Sequence, residues 1–194
     1  MKTEATQEML AVFHEDGTPA DTAVSRTKAH EKGILHGASH IYIYRLAADG
    51  SIEILLQRRS AEKDSFPNCL DTSSAGHVEA GMGFDDTACK ELNEELGLAV
   101  PPKALRYAFT QRIHQVNDFH GKVFDDREIN WVYLLEYDVD PATLQLQAEE
   151  VSAVIWMDSE KILQRLEAGD SEFCLDKEEY RHVLSVLEKQ LAET

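Results

Sequence analysis

The feature that most constrains this chain is the segment of residues 76–98, which reads GHVEAGMGFDDTACKELNEELGL. Its first three glycines, at positions 76, 81 and 83, form a flexible loop, which lets the backbone approach a metal ion or a phosphate group closely. The remainder predicts a helix over residues 85–96, with Asp85 or Asp86 as its N-cap and Gly97 just past its end. Apolar residues four positions apart would face a core: Ala88, Leu92 and Leu96.

Three carboxylates share one face of this predicted helix. Glu91, Glu94 and Glu95 are spaced i, i+3 and i+4. At this spacing, the points where the side chains leave the helix are about 5–6 Å apart. Like charges so close destabilise a helix, and the effect grows with burial unless a cation lies among them. Carboxylate oxygens suit Mg²⁺ or Mn²⁺. A solvated acidic face is the alternative, and the triplet alone does not exclude it.

The overall charge excludes several classes of protein. The 194 residues hold 19 Lys plus Arg and 36 Asp plus Glu, for a net charge of −17. So acidic a surface repels nucleic-acid polymers and anionic lipid. We expect no transmembrane helix and no signal peptide, because no apolar run is long enough. Three irregularly spaced cysteines predict a reduced, cytoplasmic protein.

Alternating patterns along the chain predict an α/β or α+β sandwich. Predicted strands cover residues 10–13, 40–46, 52–57, 105–113, 129–137 and 151–157, and further predicted helices cover residues 25–32, 159–168 and 177–192. Residues 60–74 and 115–127 are polar and predict loops. On length and polarity, the second loop is the candidate for substrate specificity.

Basic residues concentrate just ahead of the glycine loop. Arg58, Arg59 and Lys63 form the densest basic cluster of the chain. Basic side chains next to a metal site are the usual apparatus of phosphoryl chemistry. The cluster therefore predicts that the protein binds phosphate groups in spite of its negative charge.

Residues 76–98 resemble the Nudix box, G-x5-E-x7-R-E-U-x-E-E-x-G-U, in which U is aliphatic. Seven positions match at full spacing: Gly76, Glu91, Leu92, Glu94, Glu95, Gly97 and Leu98. The resemblance implies an α/β/α sandwich with a mixed β-sheet, in which the box forms a loop-helix-loop. It also implies a single Nudix domain over residues 1–194. Residues 1–37 would add an N-terminal strand and helix, and residues 158–194 would add C-terminal helices.

Two box positions depart from the pattern, with Met82 in place of the glutamate and Lys90 in place of the arginine. In the family these two side chains are expected to interact. Losing both avoids an unpaired buried charge, and Lys90 can extend to water. We therefore expect an active site with looser surroundings. A diphosphate-binding module with weakened catalysis is the alternative that these departures favour.

A longer stretch, over roughly residues 8–160, is similar to the isopentenyl-diphosphate isomerase-like branch of Nudix proteins. His36, His77 and Glu128 match isomerase metal-ligand positions, Asp126 replaces a further glutamate, and His30 is shifted by one residue. The thiol that isomerases use is absent, because Ala75 precedes the Gly-His pair. This departure favours a hydrolase over an isomerase. Without the resemblance, His36 would equally be a structural histidine. His77 would more often be a loop histidine that binds no ligand.

The resemblance implies hydrolysis of a small-molecule diphosphate, such as a nucleoside diphosphate linked to another moiety. Glu91, Glu94 and Glu95 would hold Mg²⁺ or Mn²⁺, with the Gly76 carbonyl as an extra ligand. Either Glu91 or Glu128 would act as general base, although Glu128 could equally be an ordinary loop carboxylate. Substrate phosphates would be bound by three further residues: Arg59, Lys63 and His77. A homodimer is expected only from the frequency of soluble homodimers.

Overall fold

The computed structural model describes residues 8–119 and 121–193. Its strands are β1 (Met9–Phe13), β2 (Pro19–Ser25), β3 (His36–Leu46), β4 (Ile52–Arg59), β5 (Leu70–Asp71), β6 (Ser74–His77), β7 (Arg106–Phe119), β8 (Lys122–Glu136) and β9 (Val151–Asp158). Its helices are α1 (Arg26–Lys32), α2 (Phe84–Leu96), α3 (Ser159–Glu167) and α4 (Lys177–Ala192), with single 3₁₀ turns at Pro102–Ala104 and Pro141–Thr143.

Strand β3 is the centre of a mixed sheet. It runs parallel to β8 along nine residue pairs, from His36↔Glu128 to Tyr44↔Glu136. On its other side it is antiparallel to β6 in its first half and to β4 in its second half. Strands β4 and β6 thus pair with different parts of β3, and Ala38 and His40 in its first half line an opening at the surface.

Helices cover both faces of this sheet. Side chains of a strand alternate between its faces, so Tyr42 and Tyr44 pack with α3 and α4, whereas Ile41 and Ile43 pack with α2. The side chains in both of these packed clusters are almost inaccessible to solvent, so most of β3 is buried on both faces of the sheet. The predicted α/β/α sandwich with a mixed sheet is confirmed.

The predicted helix bounds are also confirmed to within one or two residues, but the predicted N-cap of α2 is wrong. Gly83 takes the cap position with no side-chain hydrogen bond, whereas Asp85 and Asp86 lie in the first turn and Asp85 accepts a hydrogen bond from the Tyr133 hydroxyl. Helix α1 follows Ser25 and stops at Gly33, whose φ of 56° is left-handed. Helix α2 begins at Phe84 and ends before Gly97, whose φ is 70°. Glycine has no Cβ that opposes this conformation, so it commonly ends a helix.

The prediction of a loop over residues 115–127 is wrong. Strands β7 and β8 form one long hairpin whose pairing continues to Phe119↔Lys122. Beyond His36↔Glu128 the hairpin has left β3, so its far part projects from the sheet as a two-stranded ribbon. One side of this ribbon faces the cavity and helix α1, and the other side faces water, where Val116 and Val123 are each 61% exposed. With apolar side chains on the water side, the ribbon lacks the alternation, apolar inside and polar outside, that identifies a half-buried strand.

Three short or polar strands were not predicted from the sequence pattern: β2, β5 and β6. Strand β6 consists of Ser-Ala-Gly-His, and it forms because its backbone pairs with β3. Strand β2 pairs with β1, and the two-residue β5 interrupts the predicted loop over residues 60–74 by pairing with β4. Cys69, Cys89 and Cys174 are half-buried free thiols. Within the described residues, no helix combines the length and the apolar character needed to span a bilayer.

Helix α4 is fixed to the sheet by a buried carboxylate. One oxygen of Glu179 accepts hydrogen bonds from His40 Nδ1 at 2.8 Å and from the Tyr42 hydroxyl at 2.9 Å. Burial by itself would lower the pKa of His40, but the charge and hydrogen bond of Glu179 and the charge of Glu128 raise it to about 9. The imidazolium of His40 is therefore part of the contact at neutral pH.

We predict that Glu179→Gln lowers the free energy of unfolding more at pH 6 than at pH 10. A histidine whose pKa rises on folding stabilises the protein fully below its unfolded pKa, and this contribution is lost as the pH passes the folded value. A shift from 6.5 to about 9 corresponds to about 3 kcal/mol at pH 6. Denaturant unfolding at both pH values measures it. Glu178→Gln, at an exposed neighbour on α4, is the control. Equal losses at both pH values would contradict the prediction.

Candidate active site

A cavity of about 600 Å³ lies at the opening beside the first half of β3. It is bordered by β6, the first residues of the loop after β4, helix α2 and the inner side of the β7–β8 hairpin. All the residues expected to act in hydrolysis line it: Arg59, Lys63, Gly76, His77, Glu91, Glu94, Glu95 and Glu128. The fold thus brings the selected residues into one cavity.

Strand β6 and helix α2 pack so closely that a side chain at position 76 would collide with the side chain of Glu91. A Cβ on Gly76 would lie 2.2 Å from the carboxyl carbon of Glu91 and 2.5 Å from its Oε1. The Glu91 carboxylate therefore rests against the backbone of Gly76. This contact places a carboxylate beside the backbone of β6, the arrangement that a shared metal ligand pair needs.

The three box glutamates differ in burial. Glu95 is 4% exposed, and its Oε2 accepts hydrogen bonds from Ser74 Oγ at 2.6 Å and from the Ala75 amide at 3.3 Å. Burial raises the pKa of Glu95 to about 8, although the hydrogen bond from Ser74 opposes the shift. Burial also raises the pKa of Glu91, whereas the side chain of Glu94 is 47% exposed. A cation beside Glu95 would favour its ionised form at neutral pH.

Lys90 does not extend freely to water, contrary to our expectation. Its ammonium lies 2.8 Å from Glu94, 3.1 Å from Glu91 and 3.2 Å from Glu79. Burial alone would lower the pKa of Lys90, but these carboxylates raise it. Lys90 therefore compensates part of the negative charge on the helix face.

Glu79 supplies the carboxylate that the box lacks at position 82. Residues 78–80 are held by β1, through hydrogen bonds of 2.8 Å from Ala11 N to Val78 O and from Ala80 N to Met9 O. A turn follows, in which the amide of Met82 donates a hydrogen bond of 3.0 Å to the carbonyl of Glu79. Gly81 within this turn has a φ of 88°. Met82 borders a separate apolar groove instead. Sequence spacing missed Glu79 because the pairing depends on this turn.

The two basic residues expected to bind phosphate are already paired. Arg59 donates to Asp71 at 2.9 Å and to the Ser65 carbonyl at 3.0 and 3.2 Å. Burial opposes the charge of Arg59, but Asp71 raises its pKa. Lys63 forms an ion pair with Glu150. Neither Asp71 nor Glu150 was selected from the sequence, since both lie outside any motif.

A second cluster of metal-type ligands adjoins the cavity, and three of its members line the cavity wall: His77, Asp126 and Glu128. His30, His36 and His77 bring ring nitrogens within 4.8 Å of one another, and His36 does the same with Asp126 and Glu128. His36 Nε2 is 3.6 Å from Asp126 and 3.7 Å from Glu128. The elements that bring them together are α1, the start of β3, the end of β6 and β8.

Buried polar atoms of this cluster lack hydrogen-bond partners among the described residues. They are His30 Nε2, His36 Nε2 and Asp126 Oδ1. His36 Nδ1 lies 2.8 Å from the Ile34 carbonyl, to which it donates, so a neutral His36 directs the lone pair of Nε2 into the cluster. Unpaired buried polar atoms are unfavourable unless something binds them. The cluster therefore has the chemistry of a cation site.

The charges of this cluster are strongly coupled. Burial opposes ionisation of Glu128, but His36 and His77 hold its pKa well below the usual range. Burial likewise opposes the charge of His77, yet Glu128 and Glu8 raise its pKa to about 9. Burial lowers the pKa of His30, which favours the neutral ring that a metal ion requires.

Comparison with known proteins decides the family. The NUDIX domain model matches residues 37–176, which include the box and both clusters except His30 and His36. The chain belongs to the Nudix family. It is 35% identical to Nudix hydrolase 3 of Arabidopsis thaliana over 168 residues, which are 84% of this chain but only 21% of that longer protein. It is also 30% identical to the uncharacterised Nudix hydrolase YfcD of Escherichia coli K12, covering 83% of this chain and 79% of YfcD.

Solved structures agree with this assignment at the level of the fold. A Deinococcus radiodurans protein superposes with a TM-score of 0.59 at 23% identity, covering 84% of this chain and 90% of that one. The NUDIX domain of Shewanella oneidensis NrtR, solved with ADP ribose, superposes with a TM-score of 0.52 at 16% identity, covering 81% and 88%. The Nudix α/β fold is thereby confirmed. These relatives do not place the chain in the isomerase-like branch, which stays a prediction.

We predict that Gly76→Ala lowers the free energy of unfolding by about 1–3 kcal/mol, because the new Cβ forces β6 and Glu91 apart. Thermal or denaturant unfolding measures the loss. Gly83→Ala, in the same loop, is the matched control, since its Cβ would meet its nearest atom at 3.8 Å. A Gly76→Ala protein as stable as the control would show that the close approach is not rigid.

Proposed function

We propose that this chain is a metal-dependent Nudix pyrophosphohydrolase that cleaves a diphosphate linked to another moiety. The observation that carries the proposal is the position of Glu95. A buried carboxyl group with a pKa near 8, beside Glu91 and Glu94, favours protonation or a bound cation at neutral pH. A divalent cation would neutralise the group in a cavity that is also accessible to a small anionic substrate.

The residues present fit Mg²⁺ or Mn²⁺. Glu91, Glu94, Glu95 and the Gly76 carbonyl offer only oxygen ligands, which hard divalent cations prefer. Such an ion, when bound, polarises a phosphoryl oxygen and lowers the pKa of a bound water. Lys90 would then turn towards Glu79, which gives its ammonium a partner outside the metal ligands.

Glu91 is the better candidate for the general base. Proton abstraction is most efficient when the pKa of the base lies near the working pH. Burial raises the pKa of Glu91, whereas His36 and His77 hold that of Glu128 well below its usual range. We therefore assign Glu128 a role in the histidine cluster rather than in proton abstraction.

Arg59, Lys63 and His77 are the candidates for phosphate binding. Lys63 has one carboxylate partner and a flexible chain, so it can move from Glu150 to a phosphate. Arg59 is held by Asp71 and by Ser65, and its contribution is a fixed positive charge at the cavity wall. The raised pKa of His77 adds a third positive charge when no cation occupies the histidine cluster.

The substrate class that we propose is a nucleoside diphosphate derivative. Structural neighbours at low identity include the NUDIX domain crystallised with ADP ribose and an Ap4A hydrolase of Caenorhabditis elegans, at 16% and 22% identity. They suggest the class and not the compound. A cytoplasmic location and a homodimer also stay predictions.

We predict that the protein releases phosphate or pyrophosphate from a nucleoside diphosphate derivative with Mg²⁺ or Mn²⁺ and not with EDTA. Glu95→Gln should lower kcat by about 100-fold or more, the size of losses when transition-state charge stabilisation is removed. It should also weaken Mn²⁺ binding measured by calorimetry. Glu188→Gln, on the exposed side of α4, should change neither quantity.

Two results would overturn this proposal. One is the absence of turnover with every substrate together with unchanged Mn²⁺ affinity in Glu95→Gln, which would leave a binding module. The other is conversion of isopentenyl diphosphate to dimethylallyl diphosphate in the same panel. The histidine cluster favours that isomerase alternative, whereas Ala75, where a thiol would be needed, opposes it.

The histidine cluster supports a second cation site in the same cavity. We predict that Zn²⁺ or Mn²⁺ titrations show two classes of site. Asp126→Asn should weaken binding to one class of site by more than tenfold and leave the other unchanged. Glu95→Gln should do the reverse, because the two variants remove ligands from different clusters. A single class of site, affected equally by both variants, would contradict two separate centres.

A further inference from the structure

Three phenylalanines form a row above the cavity, which we name the aromatic arch: Phe66, Phe119 and Phe124. Phe66 belongs to the loop after β4, and the other two belong to the tip of the β7–β8 hairpin. The rings of Phe66 and Phe119 meet edge to face with centroids 4.9 Å apart, and those of Phe119 and Phe124 with centroids 5.5 Å apart. Phe66 and Phe124 also line the cavity.

The backbone at Phe66 is strained. Its φ is 48°, and Asn68 two residues later has a φ of 64°. A bulky side chain rarely adopts this left-handed conformation, and a residue before proline favours extended backbone, yet Phe66 precedes Pro67. Such strain persists only where surrounding contacts impose it, and it concentrates at ligand-binding segments.

Two arginines of β4 impose this conformation. Arg59 donates to the Ser65 carbonyl just before Phe66, and Arg58 donates to the Asn68 carbonyl just after it, at 2.8 Å. Arg59 is itself fixed by Asp71. The loop is thus held at both ends by strand residues, with the ring of Phe66 between them.

The other side of the arch is held by helix α1. Gly33, at the end of α1, approaches the hairpin so closely that a Cβ would lie 2.6 Å from an oxygen of Asp125. The ring of Phe124 stacks on His30 of α1, with centroids 4.3 Å apart. The projecting hairpin is therefore braced in a position from which its aromatic tip meets Phe66.

The arch supplies an aromatic surface to a cavity whose remaining wall is mostly charged. Glutamates, histidines, Arg59 and Lys63 suit a diphosphate and cations, but they do not suit an uncharged ring. Aromatic side chains bind planar rings by stacking and by edge-to-face contact. Gln115 of β7, which also lines the cavity, offers an amide donor and acceptor for the polar edge of a heterocycle.

We propose that the aromatic arch binds a planar heteroaromatic ring, of the nucleobase type, on the non-phosphate moiety of the substrate. Phe66 is the principal contact because it lines the cavity and because hydrogen bonds from Arg58 and Arg59 hold its loop in place. This assignment rests on the proposed function, since it takes the diphosphate of the same substrate to lie at the box glutamates. An isoprenoid chain is the competing occupant.

Binding, measured by calorimetry with excess Mg²⁺, tests the arch without hydrolysis. The probes are α,β-methylene analogues of ADP, GDP, CDP and UDP, with methylenediphosphonate as the ringless counterpart and a non-hydrolysable geranyl diphosphate analogue as the isoprenoid one. We expect at least one nucleotide to bind more than tenfold tighter than methylenediphosphonate. Phe66→Ala should lower the affinity for that nucleotide by about tenfold or more. It should change the affinity for methylenediphosphonate by less than about twofold, because this probe has no ring.

Further variants separate ring recognition from structure. Phe66→Leu keeps an apolar side chain, and it should lose most of the nucleotide affinity if the aromatic face is what binds. Tyr137→Ala removes an exposed aromatic ring outside the cavity, and it should have no effect. Circular dichroism and unfolding confirm that each variant folds.

Three outcomes would overturn the arch as a ring site. They are equal affinity for ringed and ringless probes, equal weakening of both by Phe66→Ala, and Phe66-dependent preference for the geranyl probe. Ring-selective binding without turnover would support the arch and overturn hydrolysis. Turnover with unchanged binding in Phe66→Ala would support hydrolysis and overturn the arch.

Discussion

The buried carboxyl group of Glu95 is the interaction on which the rest of the site depends. Through Ser74 and Ala75 it joins helix α2 to strand β6, and this contact brings Glu91 against the backbone of Gly76. The same burial disfavours its charge, so the site is stable at neutral pH with either a proton or a cation at that position. Structure and metal chemistry therefore meet in one residue. A helix that was only solvated and acidic would have had no need of the glycine.

Strand β3 determines what surrounds this carboxylate. Strand β8 pairs with His36 through Glu128, and the end of β6 pairs two residues further along β3, through His77 and Ala38. Histidines and carboxylates that are far apart in sequence consequently converge at one end of the sheet. The long hairpin adds a wall beyond that end. The cavity is thus a consequence of sheet topology, and the box provides only one of its sides.

Local patterns predicted the parts of this fold that local forces determine. The spacing of Glu91, Glu94 and Glu95 and the terminal Gly97 were sufficient for helix α2 and for the acidic face, because capping and periodicity act within one helix. The prediction of a loop over residues 115–127 was wrong because backbone pairing, rather than burial, holds this hairpin together. Glu79 was missed for a related reason, since only pairing with β1 and a turn bring it to Lys90.

Opposite charges alternate across the histidine side of the cavity. Glu8, His77, Glu128, His40 and Glu179 follow one another with separations of 3.6, 3.5, 4.0 and 2.8 Å. Each histidine in this row has a pKa raised to about 9, so its charge largely offsets those of the neighbouring carboxylates. The box side is less balanced, because Lys90 lies beside three carboxylates, those of Glu79, Glu91 and Glu94. The charges of Arg59 and Lys63 also reach Glu95, but both side chains are paired with other carboxylates. An incoming divalent cation is therefore attracted most strongly to the box glutamates, and its charge then allows an acidic protein to accept an anionic substrate.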